Sequence, residues 1–114
     1  MNSEAPSVTT GIVISGGERV VGLKLQTSSF ELNLLLTADD VLRLQDRILP
    51  KPPDEHCLLA GKCFGSPAFW SQSDDKHLGI TIGHDDVTWD AGFWMPLTSF
   101  DNIRSWLADT AREL

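Results

Sequence analysis

Basic residues are scarce in this chain. Nine lysines and arginines stand against sixteen aspartates and glutamates, a net charge of −7 at neutral pH. Such a surface repels nucleic acid and anionic membrane, so neither is an expected partner. Cysteine is scarcer still. Cys57 and Cys63 are separated by five residues, a spacing that matches no zinc motif, which needs two further ligands close by. No apolar run approaches the ~20 residues of a membrane span. Met1 to Thr10 has neither a basic start nor an apolar stretch, so no signal peptide is expected. The sequence also lacks G-x-S-x-G, H-E-x-x-H, a P-loop and G-x-G-x-x-G. These absences point to a cytoplasmic, non-enzymatic protein with two free thiols and no cofactor or metal.

What is present describes a folding domain. The apolar fraction of 41% is near the globular average. A chain of 114 residues can bury a core without staples, and one domain over 1–114 is expected, with residues 1–8 a flexible N-terminus.

The densest signal runs from His77 to Met95. Leu78, Ile80 and Ile82 alternate with Gly79, Thr81 and Gly83, the period of a half-buried strand. Val87 and Trp89 alternate with Asp86, Thr88 and Asp90 in the same way. Gly83 to Asp86 is a cluster of turn formers between them, which predicts an antiparallel hairpin with Ile80, Ile82, Val87 and Trp89 on its core face. Gly92 suggests a bulge before a short strand over Phe93-Trp94-Met95.

The flanking chain reads more simply. Thr9–Ser15 and Arg19–Thr27 predict strands joined at Gly16-Gly17. Phe30, Leu32, Leu34 and Leu36 predict a third. Thr37-Ala38-Asp39-Asp40 has the form of a capping box, with Leu36 and Val41 as a hydrophobic staple. Val41, Leu44 and Ile48 then give a helical stripe, with Arg43, Asp46 and Arg47 outward, and Pro50 stops the helix before a stiff linker through Glu55. Strands are expected over Cys57–Phe64 and Ala68–Ser73, with turns at Gly65–Pro67 and Asp74–Lys76. Thr98-Ser99-Phe100-Asp101 repeats the Thr-x-x-Asp helix start. Phe100, Ile103, Leu107 and Leu114 form the apolar face of that helix, with Trp106 assigned to the core and Arg104 to solvent. The sum is an α+β fold: a mostly antiparallel sheet of about six to seven strands with two amphipathic helices on one face. Strand order stays open.

Chemistry-bearing residues are few. His77 and His84 are seven apart, an odd spacing that puts them on opposite faces of a strand. Neighbouring carboxylates at Asp74-Asp75 and Asp85-Asp86 point apart on a strand, so neither forms an acid/base dyad. A cysteine in an apolar run is more often core than nucleophile. The acidic bias is the more specific feature: from Asp74 to Asp90, five aspartates stand against one lysine. A short hairpin would place Asp74 and Asp75 with Asp90 at one end and Asp85 and Asp86 at the other, framing small residues at Gly79, Thr81 and Thr88. That surface suits a basic protein partner, with Asp74, Asp75, Asp85, Asp86 and Asp90 in contact and Trp94 or Trp70 as anchor.

In size, acidity and α+β layout the whole chain resembles bacterial immunity proteins of toxin–immunity pairs, such as those of contact-dependent growth inhibition. The resemblance rests on profile, not on a motif, and transfers no residue roles. It implies a cytoplasmic inhibitor that binds a cognate toxin, often a basic nuclease. The chain itself is expected to be a monomer or weak homodimer. The alternatives are a small-molecule-binding or enzymatic domain with a pocket between sheet and helices, and a structural subunit of a homo-oligomer that uses a sheet edge.

Overall fold

A computed structural model describes residues 4–45, 49–52 and 55–114. Its strands are β1 (Ser7–Ser15), β2 (Glu18–Gln26), β3 (Glu31–Leu36), β4 (Leu58–Cys63), β5 (Ser66–Asp74), β6 (His77–Gly83) and β7 (Trp89–Pro96). Helix α1 (Ala38–Gln45) follows β3 and α2 (Ser99–Ala111) follows β7. The strands form one antiparallel meander in the order β1-β2-β3-β4-β5-β6-β7. Ile48, Asp46, Arg47 and the Pro53-Asp54 part of the linker lie outside the described residues.

The alternation seen in sequence sets the faces. Val21, Leu23 and Leu25 of β2 and Leu32, Leu34 and Leu36 of β3 point inward and are almost fully buried. Trp70, Leu78, Ile80 and Met95 continue that face, and Val41, Leu44, Phe100, Ile103 and Leu107 close it from the helices. Each such side chain contributes about 1.5–3 kcal/mol by leaving water. This cluster fills the space between the sheet and the described parts of the helices.

The sheet is rolled rather than flat. Helix α2 touches β1 and β2 at one end of the sheet and β7 at the other. Phe30, in the turn after β2, packs on Phe93 of β7 with ring centroids 5.0 Å apart. Thr10 of β1 and Thr110 of α2 share a hydroxyl hydrogen bond of 2.6 Å.

Local signals mostly hold. Gly16 and Gly17 both take positive φ, as the two-residue turn between twisted strands requires. The α1 capping box is complete: Asp40 N–H donates to Thr37 Oγ1 at 3.1 Å, and Thr37 N–H donates to Asp40 Oδ2 at 2.9 Å. Arg43 pairs with Asp40 and its Nε donates to the Leu59 carbonyl at 3.1 Å. This tie matters, because β3 and β4 share only the Leu35–Lys62 ladder pair. The helices clasp each other through Gln45 and Arg104, each side chain donating to the other's carbonyl at 3.2 and 3.1 Å.

Several expectations are corrected. The N-terminus is tied from residue 4: the Glu4 carboxylate accepts from Ser28 N–H and Oγ–H, and Ser7 and Val8 belong to β1. Ser66 and Pro67 start β5, so the turn before it is only Phe64-Gly65. Thr98 sits at the α2 start in helical conformation and makes no side-chain cap bond. Arg104 is half-buried over the Phe100 ring, 4.7 Å from its centroid. Trp106 is exposed, and so is Leu114, because α2 stops at Ala111.

The two helix starts therefore differ in stability. Thr37→Ala should lower the unfolding free energy by about 1 kcal/mol. Thr98→Ala should change it by less than about 0.5 kcal/mol. Urea titration of both variants checks the difference, and equal losses would refute it.

Candidate functional site

The β6–β7 hairpin shows two unlike faces. Leu78, Ile80 and Ile82 pair with Met95, Phe93 and Ala91 on the inner face. On the outer face Gly79 pairs with Trp94 and Thr81 with Gly92. These small residues are a bed for an indole. A Cβ on Gly92 would fall 2.3 Å from Trp94 Cη2, and one on Gly79 would fall 3.2 Å from its Nε1. The Trp94 ring therefore lies against two strands, yet remains 37% exposed. Trp89 meets it edge-on at 5.9 Å between centroids and is itself 44% exposed. Aromatic pairs of this geometry add about 0.5–1.5 kcal/mol beyond burial, so the two rings brace each other on the sheet.

The hairpin differs from its predicted form at the far end. Residues 84–88 form a loop in which the His84 and Asp85 N–H groups both donate to the Thr88 carbonyl, and a bulge between Ile82 and Gly83 shifts the register. Trp89, expected in the core, turns outward as a result, and Val87 is 80% exposed. Gly92 marks no bulge; β7 runs unbroken from Trp89 to Pro96.

The loop is held by its own acid. Asp85 Oδ1 accepts N–H bonds from Val87 at 2.9 Å and Thr88 at 2.6 Å. The bond from Thr88 first, then that from Val87, holds the Asp85 carboxyl below the usual aspartate range. At the other end Asp74 accepts from Lys76 N–H at 2.8 Å and meets His77 Nδ1 at 2.7 Å. These bonds, Lys76 first, lower its pKa too. Asp86 is half-buried and lies 3.1 Å from His56 Nδ1, a surface pair worth about 0–1 kcal/mol.

The five aspartates thus take different roles. Asp74 and Asp85 build turns. Asp75 and Asp90 are exposed, and among the described residues their carboxylates have no hydrogen-bond or ion-pair partner. Asp90 follows Trp89, which pairs with Gly83, so it lies at the Asp85–Asp86 end and not, as expected, beside Asp74. The hairpin brings two acidic ends and one tryptophan pair together. Trp70 is not part of it: it is fully buried, with Nε1–H donating to the Ala60 carbonyl at 2.9 Å. A side chain so placed cannot anchor a partner at the surface.

Burial pushes both Cys57 and Cys63 thiols up, away from the thiolate that a nucleophile or metal ligand requires. His77 and His84 lie at opposite ends of β6, and among the described residues no three metal-ligating side chains converge. Among those residues, too, no helix is long and apolar enough to cross a membrane.

Two features escaped the sequence reading. Trp89 was assigned inward from strict alternation, which the bulge breaks. The bed beneath Trp94 had a visible signal: Gly79 and Gly92 are the small residues on one face of adjacent strands. Compared with known protein families, curated proteins and solved structures, the chain matches none.

Two measurements follow from this geometry. Asp85 has a depressed folded-state pKa, so its support of the loop is full above the ordinary value of 3.8 and is lost as pH falls through the lower folded value. The Val87 and Thr88 amide resonances should titrate with a midpoint below 3.8; a midpoint at or above that value contradicts the assignment. Gly92→Ala should displace the Trp94 ring, since 2.3 Å is no permissible contact. Near-ultraviolet circular dichroism should then lose the Trp89–Trp94 coupling while far-ultraviolet dichroism is kept.

Proposed function

We propose that this protein is a non-enzymatic inhibitor that binds a basic protein, an immunity protein for a cognate toxin, through the outer face of the β6–β7 hairpin. The observation that carries the reading is the Trp89–Trp94 pair, exposed and ordered on a glycine bed between two acidic hairpin ends. Tryptophans held at a surface are enriched among the residues that dominate binding energy. The flanking aspartates steer a cationic partner and select against acidic ones. In this reading Trp94 and Trp89 are anchors, Asp75 and Asp90 supply the accessible charge, and Asp86, half-buried beside His56, adds to the field behind them. Asp74 and Asp85 keep the turns in shape and act on binding through them. The net charge of −7 favours the same class of partner over the whole surface. The chain is expected to work in the cytoplasm, without cofactor or metal.

A tagged pull-down from the native host at low and high salt tests this reading and identifies the partner. One stoichiometric basic protein, partly retained at high salt, is the expected eluate. With that partner in hand, Asp75→Asn combined with Asp90→Asn should slow association several-fold at low salt and much less at high salt. Trp94→Ala should act mainly on dissociation, speeding it about tenfold or more. Unchanged rates in both variants would place the contact elsewhere and sink the assignment.

A further inference from the structure

The outer face of β1–β3 carries a second feature, independent of the partner proposed for the hairpin. Gly11 of β1 and Gly22 of β2 sit opposite each other, and Leu35 of β3 flanks Gly22. Two adjacent positions without side chains let the face sink into an open groove of about 420 Å³, walled by Val13, Leu35 and Phe64. Phe64 stands at its margin in the Phe64-Gly65 turn between β4 and β5. It is 99% exposed and has φ 49°. A bulky residue at positive φ is an outlier, and asparagine or glycine suits the first position of such a turn. Within one chain Phe64 is strained and packs on almost nothing, a combination that marks sites of function rather than of folding.

We infer that this face is the interface of a twofold dimer, in which each Phe64 enters the groove of the second copy. A projecting aromatic and an apolar groove on one face are self-complementary under a twofold axis, since each copy supplies both. The charge on this face is balanced, so it does not draw a basic protein as the hairpin does, and the paired aromatic and groove favour a second copy. The acids of the β6–β7 hairpin, which drive copies of this chain apart, lie on other strands. On this face the alternation of β2 and β3 presents Glu18, Lys24 and Glu31, and neighbouring Lys62 pairs with Leu35. Two cations balance two anions, and Lys24 and Glu31 are already 3.5 Å apart. A like copy meets no net repulsion there, whereas a cationic partner finds no excess of acid. The dimer leaves the Trp89–Trp94 platform uncovered, so one assembly presents two such platforms.

Sedimentation equilibrium over micromolar to millimolar chain, with photo-cross-linking, tests the inference. The expected result is a shift from 12.6 kDa towards twice that mass as concentration rises. Phe64→Asp, which removes a side chain that packs on nothing in the monomer, should raise the dimer dissociation constant at least about tenfold. Leu35→Lys should do the same from the groove side, and Asp90→Asn should leave the dimer unchanged. Phe64→p-benzoylphenylalanine should cross-link to β1–β3 residues of a second copy. A chain that stays at 12.6 kDa throughout overturns the inference, even if its groove binds a hydrophobic dye. So does a Phe64→Asp variant that dimerises like the unmodified chain, or a cross-link that falls outside β1–β3.

Discussion

Burial of one sheet face against two helices is the constraint on which the rest of the molecule depends. A seven-stranded meander has two faces, and the two helices here suffice to cover one. The inner face takes the long aliphatic side chains and Trp70, and α2 spans from β1 to β7 to close it. The roll of the sheet follows from that span. Apolar side chains that the core does not take lie outside, among them Trp89 and Trp94 on β7, and Val13, Leu35 and Phe64 around the glycine groove.

The hairpin also shows why residue counts are a poor guide to electrostatic role. Five aspartates look alike in sequence. In the fold, Asp74 and Asp85 are committed to backbone N–H groups that hold two turns. A carboxylate bound in this way still contributes to the field, but its position is not free to follow a ligand. Asp75 and Asp90 keep both position and charge available. The acidic surface is therefore a layered device, with some acids setting the shape and others carrying the charge outward.

The α+β class, an antiparallel sheet of six to seven strands and the first helix cap were legible because they rest on local rules. Alternation of Leu32, Leu34 and Leu36 sets a face whatever surrounds it, and the Thr37–Asp40 box closes over four residues. The failures share a different cause. Trp89 and Val87 were assigned inward by counting in twos through a segment where a bulge resets the count. Trp70 alternates as a surface residue might, and only the position of Ala60's carbonyl shows that its indole N–H can be satisfied inside. Thr98 has the sequence of a cap, yet its backbone is already helical, so its hydroxyl is not placed to receive the bond.

By itself, then, the sequence determined what neighbours within a few residues decide: strand periodicity, two turns rich in aspartate, one complete capping box and a strongly acidic balance. The tertiary structure alone decided what depends on residues far apart in the chain. Strand order, the roll that brings Phe30 to Phe93, the glycine bed under Trp94 and the groove between Gly11, Gly22 and Phe64 all join separate strands. The physical reason is that a pattern in sequence specifies which face a side chain takes, whereas contact requires a second element at a set distance. That distance is fixed only when the whole core packs.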